Sequence, residues 1–169
     1  MKKELKPLQY DAGALKGISQ KTVEIHHSKL YAGYVNKTNE ISEKLGELRK
    51  SGKAEGNQIY SELRGLKLGE TFARNGVYLH ENYFAILGGD GVPKGEIKQA
   101  IEEKFGTTDD FFKYFSACGM AARGWAVLAG DIHEKELTQF NCDAQNHVGV
   151  CGCIPIIALD VYEHSYFID

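Results

Sequence analysis

Apolar residues in the first half of the chain recur every three or four positions, which is the spacing of one helical face. The first such stretch begins after Ser19, its predicted N-cap, and continues to Leu48. A charged segment with glycines at 50–56 ends it, and a second stretch covers 58–87, with an interruption near 66–69. Two long helices joined by a polar turn predict an antiparallel helical hairpin.

The strongest break in the pattern is the run Gly-Gly-Asp-Gly-Val-Pro at 88–93, because its glycines and proline disfavour both helix and strand. We therefore predict a boundary inside this run. It divides the chain into a helical hairpin domain, residues 1–89, and a C-terminal α/β domain, residues 90–169.

Shorter elements are predicted beyond the boundary. Helical spacing covers 95–104 and 109–121, and Thr107 or Thr108 can cap the second of these helices. Three strands follow, and the third carries a proline at its start or edge. The order of elements indicates an α+β fold with a small three-stranded antiparallel sheet. The predicted strands cover residues 124–129, 136–140 and 154–159.

Composition narrows the possible functions. The chain has 169 residues, of which 43% are hydrophobic, and this suffices for an ordinary buried core. Its formal net charge is -3, with 20 basic and 23 acidic residues spread along the sequence, so we expect neither a nucleic-acid partner nor a membrane surface. No run reaches the ~18 apolar residues of a membrane span, and we expect a cytoplasmic protein.

The four cysteines agree with that location, because a chain with a core of this size does not need a disulfide framework. Two of them, Cys151 and Cys153, are separated by a single glycine. Such a pair could chelate a metal ion, but we prefer the simpler interpretation of small residues in a turn before the third strand.

Three histidines lie where a buried metal site would need them. His26 lies on the first helix, and Leu30 and Tyr34 follow it on the same predicted face. His80 lies on the second helix among aromatic and aliphatic residues that would exclude water, so its ring nitrogens need a partner. His164 follows the third strand.

A carboxylate completes this set. Asp160 ends the most hydrophobic strand, at a position where loops commonly present chemistry. Three neutral imidazoles and one carboxylate suit manganese, iron or zinc, and they differ from the thiolate-rich sites of structural zinc. The candidate metal ligands are His26, His80, Asp160 and His164.

Several segments resemble the iron/manganese superoxide dismutase family and occur in the family's order. The segment Asp-Val-Tyr-Glu-His-Ser-Tyr at 160–166 resembles the signature Asp-x-Trp-Glu-His-Ala-Tyr. Residues 24–36 resemble the family's first ligand helix. Residues 5–10 resemble its opening Leu-Pro-Pro-Leu-Pro-Tyr, and 123–126 resemble Gly-Ser-Gly-Trp. The resemblance covers nearly the whole chain.

The resemblance implies an enzyme that converts superoxide to dioxygen and hydrogen peroxide by redox cycling of one manganese or iron ion per subunit. It makes the four candidate residues the metal ligands, and it implies a homodimer joined through the face that carries the metal site. Tyr34 would line the substrate channel, and Glu163 would bond the partner's His164. Further residues around the metal and the interface would be Trp125, Tyr162 and Tyr166.

The residue that tunes the metal differs from that of iron-type members, which place a glutamine one helical turn before the second histidine. Gly76 occupies that position here. Manganese-type and metal-tolerant members supply a glutamine or histidine from the segment before the third strand. This makes Gln145 the candidate for bonding the solvent at the metal, with His147 as the alternative. We therefore expect a manganese-preferring or metal-tolerant enzyme.

Other departures concern the interface and the end of the chain. Leu30 replaces a histidine with which the family commonly contacts the partner's Tyr166, and family members generally continue beyond Asp169 through an arginine-bearing segment and a further helix. The alternative function is thus a metal-binding family member with little activity. A metal-dependent hydrolase with the same ligands is a third hypothesis. Lys29 is the candidate for attracting the anionic substrate.

Overall fold

A computed structural model describes residues 2–147 and 149–169, and its first half contains two long antiparallel helices. The first long helix has three consecutive parts, and the second returns along it. Ser19 and Ser61 cap the two starts, because each side chain accepts a bond from the backbone N–H three residues further on. The parts are α1 (Gln20–Ile25), a π-helix (His26–Tyr31) and α2 (Ala32–Ser51), and the returning helix is α3 (Glu62–Ile86).

The predicted hairpin is confirmed, but α3 differs from the prediction in two respects. It begins at Glu62 rather than near residue 58, and it is unbroken where we predicted an interruption. Gly69 lies inside that segment, and a Cβ atom there would lie only 3.1 Å from Cδ1 of Ile41 on α2. The missing side chain therefore lets the two helices approach each other, and it does not end the helix.

The π-helix was not predicted, and its wider turn changes which residues face the core. Regular helical spacing places Leu30 on the same face as His26, but Leu30 is only half-buried. Tyr31, the next residue, is 1% exposed and belongs to the core. The predicted inward position is therefore wrong by one residue.

The C-terminal half contains two helices and a three-stranded antiparallel sheet in the order β2-β1-β3. Thr107 caps the second helix in a capping box with Asp110. The observed bounds of the strands differ from the predicted bounds by at most two residues, and the predicted fold class is confirmed. The elements are α4 (Gly95–Phe105), α5 (Thr108–Ala121), β1 (Trp125–Asp131), β2 (Glu136–Cys142) and β3 (Cys153–Asp160), and 3-10 helices cover Ala12–Ala14 and Glu163–Ser165.

The central strand β1 divides the core in two, because its side chains point alternately to opposite faces of the sheet. Trp125, Val127 and Ala129 pack with the helical hairpin. Ala126 and Leu128 pack with side chains of α4, α5 and β2. At its first residue β1 pairs with the last residue of β3, so Trp125 lies beside Asp160. This pairing places Asp160 at the face of the sheet that packs against the hairpin.

The segment between α3 and α4 contains the glycine-rich run. Gly88 has a φ of +84°, and the ring of Tyr10 lies 3.1 Å from the place where its Cβ would be, so this position favours glycine. The division of the chain at residues 89 and 90 stays a prediction. In the described part of the chain, we find no helix with the length and apolar character needed to cross a membrane.

Candidate metal centre

Four side chains from four elements converge between the helical hairpin and the sheet. His26 begins the π-helix, His80 lies in α3, Asp160 ends β3, and His164 lies in the 3-10 helix that follows. Their ligand atoms all lie within 4.8 Å of one another. The side chains of the first three are fully buried, and that of His164 is 24% exposed.

The centre of the group is one carboxylate oxygen. Oδ2 of Asp160 lies 3.0 Å from Nε2 of His164, 3.2 Å from Nε2 of His26 and 3.7 Å from Nε2 of His80. The other oxygen, Oδ1, accepts a bond from the backbone N–H of Tyr162 at 3.0 Å. This bond fixes the carboxylate, so that Oδ2 faces the three imidazoles.

These separations fit a single transition-metal ion. With bonds of about 2.1 Å, ligand atoms 90° apart are separated by about 3.0 Å, and those 120° apart by about 3.6 Å. The observed distances around Asp160 span the same range. Three nitrogens and one oxygen also form a donor set that iron and manganese accept. The arrangement can therefore hold one such ion.

The hydrogen bonds of the imidazoles support the same interpretation. Nδ1 of His80 donates to the carbonyl oxygen of Gly76 at 2.6 Å, which leaves Nε2 as the acceptor. Within residues 2–147 and 149–169, Nε2 of His80 and both ring nitrogens of His26 have no hydrogen-bond partner. Buried polar atoms normally have one. A bound ion would satisfy the nitrogens that face Asp160.

The electrostatics favour the cation-binding forms of His80 and Asp160. Burial lowers the pKa of His80 to about 4, and the nearby Asp160 only partly opposes this, so the ring is neutral at pH 7. Burial also opposes ionisation of Asp160. The hydrogen bond from Nε2 of His164 and the nearby rings of His26 and His80 outweigh that effect, and the pKa of Asp160 lies below its ordinary value. A neutral imidazole at His80 and an ionised carboxylate at Asp160 are the protonation states in which these two groups bind a metal ion.

Aromatic rings surround the four side chains. The ring of Trp125 meets that of His80 edge to face, with centroids 5.1 Å apart. Tyr83 and Phe84 both lie 5.1 Å from the His26 ring, and Tyr31 stacks on His80 at 6.2 Å. The sequence indicates no role for Tyr31, because only the unpredicted π-helix turns it inward.

A second polar group lies beside the four side chains. Nε2 of Gln145 donates to the hydroxyl of Tyr34 at 2.7 Å, and its Oε1 accepts from the hydroxyl of Tyr162 at 3.2 Å. The rings of these tyrosines lie against His80 and His164, at 5.1 and 5.3 Å. Burial, followed by the charges of Tyr162 and Asp160, raises the pKa of Tyr34 to about 12. Tyr34 is therefore a protonated hydroxyl at neutral pH.

Gly76 is in close contact with this network. A Cβ atom at residue 76 would lie 2.6 Å from Cδ1 of Tyr34, which is far inside van der Waals contact. The space that a longer side chain would need at this position is filled by the Tyr34 ring. The glycine thus positions Tyr34 by its small size and His80 by its carbonyl oxygen.

The remaining predicted residues lie outside this group. His147 is exposed, whereas Gln145 is only 1% exposed. Glu163 is exposed in the 3-10 helix, and Tyr166 after it is 54% exposed. Lys29 is exposed on the π-helix. The structure thus brings Gln145 to the tyrosines and leaves the other four on the surface.

Two family models match nearly the whole chain. Residues 2–88 match the model described as iron/manganese superoxide dismutases, alpha-hairpin domain, and residues 93–169 match the C-terminal domain of the same family. Among similar proteins is the iron superoxide dismutase of Aquifex pyrophilus, which is 45% identical over 157 residues. That alignment covers 92% of this chain and 74% of the relative.

Relatives named for either metal are similar to this chain. The iron superoxide dismutase of Cupriavidus metallidurans is 35% identical over 169 residues, which cover 98% of this chain and 83% of the relative. The manganese superoxide dismutase of Haloarcula marismortui is 36% identical over 169 residues, which cover 98% of this chain and 80% of the relative. Similarity in sequence therefore does not select one of the two metals.

Proposed function

Because the chain belongs to the iron/manganese superoxide dismutase family, we propose that its metal ion is held by the imidazoles and the carboxylate that meet between the hairpin and the sheet. The enzyme converts superoxide to dioxygen and hydrogen peroxide with one iron or manganese ion per subunit. The bound ion supplies one-electron redox chemistry by alternating between trivalent and divalent states. The proposed ligands are His26, His80, Asp160 and His164.

One observation carries the ligand assignment. The Nε2 atoms of three histidines surround a single buried oxygen of Asp160 at 3.0 to 3.7 Å, and these are the spacings of ligand atoms that share one ion. An ordinary structural histidine has hydrogen-bond partners for its ring, but His26 has none among the described residues.

The chain's own residues hold the ligands in place. The carbonyl of Gly76 fixes the tautomer and the ring orientation of His80, and the backbone N–H of Tyr162 fixes the carboxylate of Asp160. Such contacts behind the ligands set affinity and reduction potential as well as geometry. The aromatic rings of Trp125 and Tyr83, both buried, exclude water from the same space.

We propose that Gln145 tunes the reduction potential and that Tyr34 lines the path of superoxide. Gln145 is buried, and it holds the hydroxyls of Tyr34 and Tyr162 together beside His80 and His164. A neutral amide in this place would donate a hydrogen bond to solvent at the metal. Such a bond would stabilise one oxidation state of the ion more than the other. The burial and the two bonds of Gln145 support it over His147. A manganese-preferring or metal-tolerant enzyme remains our proposal.

We further propose a homodimer joined through the face that carries the metal site. Glu163 follows the Asp160 strand and is exposed next to His164, which makes it available to the partner's His164. Tyr166 and Phe167 add exposed aromatic surface, at 54% and 66%. A cytoplasmic location is part of the proposal, and the four free cysteines support it.

Metal analysis combined with diffraction tests the ligand assignment. Purified enzyme should contain close to one iron or manganese ion per chain and should dismutate superoxide. Anomalous scattering at the iron and manganese edges should place the ion within about 2.0 to 2.2 Å of all four ligand atoms. An anomalous peak elsewhere in the molecule, or any of the four side chains turned away from it, would disprove the assignment.

Sedimentation tests the dimer separately. The wild-type chain should sediment as a dimer, and Glu163→Ala should shift the equilibrium towards the monomer while leaving the fold unchanged. Phe112→Ala, which removes an exposed aromatic ring on α5, is the matched control and should leave the dimer intact. A stable wild-type monomer with full activity and bound metal would contradict the dimer.

A further inference from the structure

The end of the sheet farthest from the metal centre carries two thiols. β1 begins at Trp125, which pairs with Asp160, and ends at Asp131, which pairs with Cys153. At about 3.3 Å per residue, the two ends lie about 20 Å apart. Cys151 is exposed and Cys153 is half-buried. These thiols are therefore separate from the metal site and accessible to small solutes.

A tight turn holds the two cysteines close together. The backbone N–H of Cys153 donates to the carbonyl oxygen of Val150 at 3.1 Å, and Gly152, between the cysteines, has a φ of +91°. This combination is typical of a type II turn, whose third position requires glycine. Consecutive Cα atoms lie about 3.8 Å apart. Residues on either side of such a bend therefore fall within the ~4.4 to 6.8 Å that a disulfide spans.

Asp131 ties this turn to the neighbouring turn between β1 and β2. Its Oδ1 accepts from the backbone N–H of His133 at 2.8 Å, and its Oδ2 accepts from Sγ of Cys153 at 3.7 Å. The ring of His133 covers Gly152, since a Cβ there would lie 2.6 Å from Nε2 of His133. The thiol pair is thus held by neighbours on two turns.

The two thiols differ in their surroundings. Partial burial, followed by the charge of Asp131, raises the pKa of Cys153, so this thiol keeps its proton. Cys151 is exposed to solvent. Peroxide reaches the exposed Cys151 more easily than the half-buried Cys153, so Cys151 matches an attacking thiol and Cys153 the resolving thiol beside it.

We propose that Cys151 and Cys153 form a reversible dithiol–disulfide pair that is oxidised by hydrogen peroxide, the product of the enzyme's own reaction. The thiolate of Cys151 attacks one peroxide oxygen and breaks the O–O bond, which gives a sulfenic acid and, after protonation, one water. The sulfur of Cys153 then displaces the hydroxyl group, which forms the S–S bond and a second water. Peroxide gains two electrons, and the two thiols lose two electrons and two protons.

Thiol labelling of the metal-loaded enzyme tests the proposal. After treatment with hydrogen peroxide, alkylation and peptide mass spectrometry should show a joint loss of labelling at Cys151 and Cys153, which dithiothreitol restores. Cys118, half-buried on α5, and Cys142, buried on β2, are the internal controls and should keep their label at peroxide concentrations that convert the pair.

Single variants identify the order of the two steps. In Cys153→Ser the reaction should stop at a sulfenic acid on Cys151, which dimedone traps. In Cys151→Ser the loss of labelling at Cys153 should be much slower. Cys118→Ser is the matched control and should leave the pair as reactive as in the wild type. Both variants of the pair change exposed or half-exposed side chains, so the fold should survive, and the labelling of Cys142 reports on it.

Three results would overturn the proposal. The pair could keep its label while Cys118 loses its own, or the disulfide could join other cysteines. Alternatively, both cysteines could resist alkylation before peroxide is added and become reactive with a chelator, which would indicate a thiolate-bound metal instead. The readout uses added peroxide and thiol chemistry, so it does not depend on the ligand assignment or on dismutation.

Discussion

The two faces of β1 pack against different kinds of side chain. Towards the helical hairpin, Trp125, Val127 and Ala129 join a cluster that also contains the rings around the metal centre. Towards α4 and α5, Ala126 and Leu128 join a cluster of aliphatic and phenylalanine side chains. Among the described residues, the first face has buried polar atoms without protein partners, including Nε2 of His80 and Nε1 of Trp125. The second consists of apolar side chains.

The comparison shows how a small sheet can separate stability from chemistry. An apolar cluster stabilises the fold through buried area, and it tolerates repacking if its volume is kept. A cluster with buried imidazoles costs stability until the ring nitrogens have partners. We therefore expect substitutions on the α4/α5 face to change the free energy of unfolding, and substitutions at the metal centre to change metal content and rate.

The largest expected effect separates these two faces. Asp160→Asn keeps the shape of the side chain but removes the charge at the centre of three imidazoles, so metal content and dismutation should both fall by more than about 100-fold. Leu128→Ala, on the opposite face, should lower the free energy of unfolding by about 2 to 5 kcal/mol. Metal analysis, superoxide assay and urea unfolding measure the three quantities.

Either of two results would contradict the separation of the two faces. Asp160→Asn could retain a full complement of metal, which would remove the carboxylate from the ligand set. Leu128→Ala could lose metal although the protein stays folded, which would couple the two faces.

The next largest effect is a loss of turnover in a variant that keeps its metal ion. In Gln145→Ala the hydroxyls of Tyr34 and Tyr162 lose their common partner, so the enzyme should keep its ion and lose about 10- to 100-fold in turnover. Redox titration should show a shifted potential, which a purely structural role would not produce. His147→Ala, in the same loop but exposed, is the matched control and should be close to wild type. Unchanged turnover in Gln145→Ala would refute the tuning role.

The sequence predicts those parts of the fold that depend on local signals. Ser19 and Thr107 are caps that contact the backbone within three residues, and both helices start within one residue of the predicted position. The hairpin and the sheet follow from hydrophobic spacing in the same way. The convergence of His26 with Asp160 was inferred from the resemblance, because residues 134 positions apart share no local pattern.

Features that depend on tertiary contact were not predicted. The π-helix after His26 adds a residue to one turn and buries Tyr31, and no local pattern marks it. The glycines of α3 also misled the prediction: they indicate a break by propensity alone, but Gly69 is required by the approach of Ile41. The bond between Gln145 and Tyr34 spans 111 residues and likewise becomes visible only in three dimensions.

A smaller effect, on stability, tests the role of glycine at two positions of α3. Gly76→Ala would place Cβ 2.6 Å from the ring of Tyr34, so the ring must move, and the free energy of unfolding should fall by about 1 to 3 kcal/mol. A Cβ atom at Gly65, in the same helix, would have none of the described atoms within 4 Å. Gly65→Ala should therefore raise the free energy of unfolding by up to ~1 kcal/mol, because alanine favours the helix. If urea unfolding showed that both variants change the free energy of unfolding in the same direction, the proposed difference between the two glycines would be wrong.

The smallest expected effect concerns the approach of superoxide. The chain has a formal net charge of -3, so an anionic substrate gains from a local positive charge, and Lys29 lies exposed three residues after His26. Lys29→Glu should lower kcat/KM a few-fold at low ionic strength, and the difference should disappear at high salt, because screening removes it. Lys50→Glu changes the net charge by the same amount at the far end of α2, about 30 Å along the helix, and should have almost no effect. If Lys29→Glu and Lys50→Glu have the same kcat/KM at low salt, Lys29 is an ordinary surface lysine. The two ends of the long helix then do not differ in their influence on the approach of superoxide.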